Sequence, residues 1–147
     1  MPTSSRFAVA VHALTHIAAF NGQPVTSGEI ARSANTNPSV IRRILTMLNE
    51  AGLTHAQLGQ GGGALLARPA GEITLLDVYR AVESERLFAM HRSAPNPGCP
   101  IGQHIQPALS SRLDRATGAL DRELGATTIA DVAGDVLERH RGSREPA

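Results

Sequence analysis

"LGQGGGALLARP", Leu58 to Pro69, places four glycines within five positions, and its reading decides the fold. Gly59-x-Gly61-x-x-Ala64 formally satisfies a dinucleotide-binding fingerprint. That fingerprint works only where the glycines join a strand to a helix, whose N-terminus then takes the pyrophosphate. Here the following "ALLARP" is short and stopped by Pro69, and no strand–helix–strand unit surrounds it. A Walker-type lysine is excluded, because all fourteen basic residues are Arg. The glycines separate "LTHAQL" from "ALLARP", two short segments whose spacing predicts a β-hairpin.

What precedes the hairpin gives it a purpose. "NPSVIRRILTMLNEAGL" is the clearest helix: Asn37 is a strong N-cap, Pro38 fits the first helical position and Gly52 the C′ position. Val40, Ile41, Ile44, Leu45 and Leu48 form an apolar stripe, while Ser39, Arg42, Arg43, Thr46 and Asn49 fall on or near the opposite face. "VTSGEIARSAN" predicts a shorter helix capped by Thr26 or Ser27, with Glu29 close to a capping box. "SSRFAVAVHALTHIAAFNG" predicts a first helix capped by Ser4 or Ser5, with Phe7, Val11, Leu14 and Ala18 at helical spacing. After the hairpin, "EITLLDVYRAVES" reads as a helix capped by Thr74.

A glycine-rich hairpin directly behind a helix–turn–helix pair is the wing of a winged-helix DNA-binding module. Its bare backbone tip can approach a sugar-phosphate chain, and the second helix of the pair reads the major groove. The expected DNA contacts are Ser5, Arg6, Ser27, Thr36, Asn37, Ser39, Val40, Arg42 and Arg43, with Gln60, Gly61 and Gly62 at the wing tip. An Arg bridging guanine O6 and N7 contributes about 1–3 kcal/mol of discrimination.

The fold class follows: mainly α, with a small β-hairpin wing and a long C-terminal dimerisation helix. Residues 1–83 are the expected winged helix–turn–helix domain and residues 84–103 an irregular connector rich in Pro and Gly. Residues 104–140 are expected to form a dimerisation helix and a short terminal helix, and residues 141–147 a disordered tail. Ile105, Leu109, Leu113, Ala116, Leu120 and Leu124 make a narrow seam of the kind one helix presents to another, so a second copy of the chain is the expected partner there.

Composition sets outer bounds. The chain has 147 residues, 41% of them hydrophobic, enough for one domain with a real core. No apolar run approaches the ~18 residues of a membrane span, and the N-terminus lacks a signal-peptide pattern; the expectation is a cytoplasmic protein without a membrane partner. Residues 1–68 carry five Arg against two Glu, while the remainder is net acidic, so a polyanion should meet the front half.

At this point the residues carry a resemblance. "SSRFAVAVHALTHIA", "TSGEIARSANTNPSVIRRILTMLNEAGL", "GQGGGALLARPAGEITLLDVYRAVE" and "NPGCPIGQHIQPALSSRLDRA" resemble the Rrf2 family of bacterial transcription regulators, from about Ser4 to Val132. The resemblance implies a winged-helix homodimer on a palindromic double-stranded operator, with the long helices crossing between subunits. It implies repression or activation set by a redox or metabolic signal, with repression the expected sign. The best-known members hold an iron–sulfur cluster on three cysteines of the connector; this chain has only Cys99, so no such cofactor is expected. Many members also carry an Arg before the wing glycines and an aromatic after them, where this chain has Leu58 and Ala64.

Cys99 precedes Pro100, a preferred first helical residue, and would then be an N-cap. A thiol there faces the positive end of the helix, which favours thiolate and reactivity. His91, Arg92 and His104 are further candidate sources of positive charge, and Pro107 either kinks the helix or starts a fresh one. A redox sensor, an interchain disulfide and an inert buried thiol all remain open. His12 and His16 have a chelating spacing, but with no third ligand evident no metal site is expected. Cys99 and His104 lack an orienting group or an oxyanion motif, so an enzyme is not expected. A pure scaffold would leave Arg42, Arg43 and the wing unused.

Overall fold

The computed structural model describes residues 4–83 and 87–144. Three helices open the chain: α1 (Arg6–Ala19), α2 (Ser27–Ala34) and α3 (Pro38–Glu50). Strands β1 (Thr54–Gln57) and β2 (Gly63–Leu66) pair antiparallel, with Thr54 opposite Leu66 and Gln57 opposite Gly63. A 3-10 turn (Ala70–Glu72) leads into α4 (Leu75–Val82), followed by α5 (Pro100–Gly125) and α6 (Ile129–Arg144).

The helix starts are written in the sequence. Thr26 and Glu29 form a complete capping box on α2, and Thr74 and Asp77 another on α4. Asn37 Oδ1 accepts from the Ser39 N–H at 2.8 Å to begin α3. The turn between α2 and α3 needs a left-handed residue, and Asn35 supplies it at φ 53°.

Ile44 and Leu48 of α3 pack with Ala10 and Leu14 of α1, Val78 and Val82 of α4, and Ile129 of α6. Ile41, Ala13, Ile17, Ile30 and Ala31 form a second cluster that reaches the wing through Val25 and Ala64. The fully buried residues of α1 are Ala10, Ala13, Leu14 and Ile17, while Phe7, Val11 and Ala18 stay half-buried beside them. The small alanines let neighbouring helices approach closely.

The wing is not a free hairpin. Val25, ahead of α2, exchanges both backbone hydrogen bonds with Ala64, at 2.7 and 3.0 Å, so β2 lies between β1 and Val25. Gly63 makes this possible, because a Cβ there would lie 2.6 Å from the Val25 carbonyl oxygen.

Three sequence-based boundaries change. The long helix expected to dimerise begins at Pro100 rather than 104, because Cys99 and Pro100 start it, and it runs through Pro107 without interruption. The expected tail is helical as far as Arg144; only 145–147 lie outside the described residues. The terminal helix, expected in one segment with the long helix, packs on the winged module instead. Thr128 and Asp131 cap α6 as Thr74 and Asp77 cap α4, and the two starts bridge at Thr74 and Thr128. Ile129 enters the main core, so α6 docks on α1 as part of the winged module.

Helix α5 is the exception to this packing. It is 26 residues long, about 39 Å, rests on α4, and has no buried residue. Leu113, Leu120 and Leu124 of the expected seam are half-buried, while Leu109 and Ala116 are exposed, as is Ile101 at its start.

Candidate DNA-binding interface

Helix α3 buries one face and presents Ser39, Arg42, Arg43, Thr46 and Asn49 on the other. Arg42 and Arg43 have no ion-pair partner among the described residues. Both guanidinium groups are therefore available to a polyanion, and Arg is the side chain best shaped for bidentate contact with base or phosphate. Asn37 and Ser39 are engaged with each other: the Ser39 hydroxyl donates to Asn37 Oδ1 at 2.9 Å. Ser39 is thus oriented by the cap. Val40 is half-buried against the main core, so its contribution at this face is shape rather than reach. Thr36 is half-buried in the turn, its N–H bonded to the Ala31 carbonyl.

The wing stands beside this helix. Between them runs a groove of about 340 Å³, lined on one side by Arg42, Thr46 and Asn49, and on the other by His55 and Gln57. Ser27, the first residue of α2, also lines it. The structure therefore brings Ser27 and Arg42 together with four polar residues outside the expected contact set. The signal for Thr46 and Asn49 was the continuation of the Ser39–Arg42 stripe at three- and four-residue steps. His55 and Gln57 were legible from the two-residue period of a strand.

Gln60 and Gly61 are exposed at the wing tip and Gly62 is half-buried. A Cβ on Gly62 would collide with the Gln57 carbonyl oxygen, and Gly59 and Gly61 adopt φ of 90° and 76°. The glycines are thus required by the turn itself. Leu58, just before the turn glycines, is 88% exposed. At the other end of the module Ser5 precedes α1 without a side-chain cap bond. Arg6 donates to Ser4 Oγ at 3.1 Å and pairs with Glu83 at 3.4 Å, which ties its guanidinium to the end of α4.

Cys99 lies at the N-cap of α5, half-exposed. The Gly102 N–H, and then the Ile101 N–H, hold its thiol below the ordinary value. This is the helix-start effect; His91, Arg92 and His104 are not among its causes. His12 and His16 do not gather a third ligand, since the described residues hold no group of three or more His, Cys, Asp or Glu. His12 instead shares a 2.8 Å hydrogen bond with Ser33 Oγ.

With this geometry in place, comparison with known proteins is direct. The family model for Rrf2, described as an iron-dependent transcriptional regulator, matches residues 3–135. The chain belongs to the Rrf2 family. YwnA of Bacillus subtilis, named as a candidate HTH-type transcriptional regulator, is 42% identical over 130 residues, 88% of this chain and 95% of YwnA. A solved structure described as a candidate DNA-binding protein superposes with TM-score 0.70 at 36% identity, covering 87% of this chain and 98% of its own. CymR of B. subtilis, the global cysteine regulator, superposes with TM-score 0.71 at 21% identity, covering 91% and 97%, a likeness of fold. This Rrf2 chain is accordingly a winged-helix DNA-binding transcription regulator and not an enzyme. No helix among the described residues is long and apolar enough to cross a membrane.

The family description names iron, but this chain offers a poor donor set for it. An iron–sulfur cluster takes mainly Cys thiolates, and one chain supplies one cysteine, Cys99. The residues present do not fit a cluster held within a single chain.

Proposed function

We propose that this Rrf2 protein acts in the cytoplasm as a homodimeric repressor of a palindromic operator, without an iron–sulfur cluster, and that modification of Cys99 releases it. The dimer reading is carried by α5, a 26-residue helix without one buried residue. An isolated helix of this composition gains little from propensity alone, and its stability comes from packing. A second α5 crossing it would cover Ile101, Leu109 and Ala116, which one chain leaves exposed. Two copies related by a twofold axis would place two α3 helices on two half-sites, and the operator symmetry would mirror that of the protein.

On the DNA, Arg42 and Arg43 supply the α3 contacts and the polar groove between α3 and the wing takes the adjoining backbone. The wing tip positions more than it specifies, because Leu58 and Gln60 bring no charge to the minor groove.

The thiol reading rests on the lowered Cys99 thiol at the head of the dimer helix. In the reaction with hydrogen peroxide, the thiolate sulfur attacks one oxygen and the O–O bond breaks. Sulfur keeps a hydroxyl as sulfenic acid, and the other oxygen leaves as hydroxide, taking a proton to become water. The change at the N-cap repositions the start of α5 and with it the two DNA-binding units.

The deciding experiment is a gel shift on the chain's own upstream region, with the wild type, Arg42→Ala and Cys99→Ser, each with and without peroxide. Arg42→Ala is expected to weaken operator binding about tenfold or more. Peroxide is expected to weaken the wild type and leave Cys99→Ser unchanged. Absence of retardation at low salt, where non-specific binding alone should appear, would remove the operator reading. An equal peroxide effect on both proteins would remove the thiol switch.

A further inference from the structure

Away from the DNA-contacting face, α1, the end of α2 and α6 enclose a groove of about 490 Å³. Its floor and walls are mostly apolar, with Phe20, Val132 and Val136 prominent, and none of its lining residues is Asp, Glu or Arg. Its polar edge consists of two features. His12 Nε2 and Ser33 Oγ share a 2.8 Å hydrogen bond that joins α1 to α2. Next to it the His16 ring lies parallel to Phe20, centroids 5.0 Å apart and planes within 1°. His16 Nε2 is buried and finds no partner among the described residues.

We propose that this groove is an effector site for an uncharged aromatic molecule of one or two rings bearing a hydroxyl group, a phenol in chemical class. Its volume falls within the range of small-molecule sites, which are largely apolar with a few convergent polar groups. A cation is disfavoured because no lining residue is Asp or Glu, and an anion because burial holds His16 toward its neutral form. A flat ring finds the His16–Phe20 stack as a platform and Val132 and Val136 as the opposite wall. Its polar substituent reaches the His12–Ser33 pair, and a small turn of the imidazole lets it satisfy His16 Nε2.

The site is coupled to DNA by its position. Ser33 lies in the last turn of α2, which passes through Asn35 and Asn37 into α3. A ligand that takes the Ser33 hydroxyl from His12, or that presses α6 away from α1, binds two settings of α2 unequally and so shifts operator affinity. This coupling rests on the operator reading above; the binding site itself does not.

The test uses the full chain and 2-naphthol as probe, followed by its own fluorescence, which is excited at longer wavelength than that of Tyr or Trp. Saturable binding is expected with a dissociation constant on the order of 0.1 mM. Val136→Trp, at a position 52% exposed, fills the groove and should weaken binding about tenfold or more without lowering the melting temperature. Ser33→Ala, an exposed site, should weaken it about fivefold by removing a hydrogen bond. Naphthalene-2-carboxylate, the charged counterpart, should bind about tenfold more weakly than 2-naphthol. No saturation, binding indifferent to Val136→Trp, or equal affinity for the carboxylate would each overturn the site. A second copy seated in the groove would appear as absent saturation at concentrations where the dimer forms, and would overturn it too. Saturating 2-naphthol should then change operator affinity about fivefold. Unchanged operator affinity with intact probe binding would overturn the effector role. Absence of any DNA binding would instead strike the operator reading and leave the naphthol titration standing.

Discussion

Replacing Gly63 by Ala tests the attachment of the wing to the helix–turn–helix. The new Cβ would lie 2.6 Å from the Val25 carbonyl oxygen and within 2.9 Å of its nitrogen, both backbone atoms that cannot rotate away. Relief requires β2 to retreat from Val25, at the expense of the two hydrogen bonds that Val25 exchanges with Ala64. Each such bond contributes about 1 kcal/mol net, and forcing a methyl into a filled space costs about 1–3 kcal/mol. Partial relaxation leaves a loss of about 2–4 kcal/mol, a large share of the ~5–15 kcal/mol that holds a typical domain. At about 4 °C per kcal/mol for a chain of this size, the melting temperature should fall by about 8–16 °C. Gly71→Ala is the matched control: its Cβ would meet nothing within 4 Å, and the expected change is a small gain of about 0.4–1 kcal/mol. Thermal unfolding followed by circular dichroism measures both. If Gly63→Ala melts within about 2 °C of Gly71→Ala, the close packing of β2 on Val25 does not hold the wing, and the reasoning fails.

Two further outcomes follow from the cap of α3 and from the histidines of α1. Asn37→Ala removes the acceptor for the Ser39 N–H and should lower stability by about 1 kcal/mol, seen as a fall of a few degrees in melting temperature; an unchanged melt would deny the cap its role. Burial first, and then the neighbouring His12, hold the His16 pKa below its ordinary value, with Glu29 opposing. The unfolded chain therefore takes up this proton more readily. Stability should fall as pH drops through about 6.5 and go on falling until the lower folded value is passed. Urea unfolding at pH 7.5 and 5.5 should show a smaller acid loss in His16→Gln than in the wild type, and equal losses would contradict the assignment.

The sequence by itself determined the local elements. Asn37-Pro38, Thr26 with Glu29, and Thr74 with Asp77 start helices through hydrogen bonds made within four residues. The glycines of "GQGGG" fix a turn because Gly59 and Gly61 need positive φ and Gly62 has no room for a side chain. Such interactions are written in adjacent positions, so helix, helix–turn–helix, hairpin and helix could be read in order, and with them the exposed Arg42 and Arg43. The continuous course of α5 through Pro107 was not legible, since Pro is compatible with either a kink or a break.

Tertiary structure alone decided what lies far apart in the chain. The Thr74–Thr128 bridge joins residues that no short-range pattern links, and it returns α6 to α1 rather than leaving it along α5. The Val25–Ala64 exchange makes the wing part of a three-segment ladder. The Arg6–Glu83 pair engages a residue that looked free for DNA. The groove that joins His12, Ser33 and Val136 likewise exists only after folding. In each case the determining interaction depends on where two distant segments meet, and periodicity and capping, which act over a few residues, carry no record of that meeting.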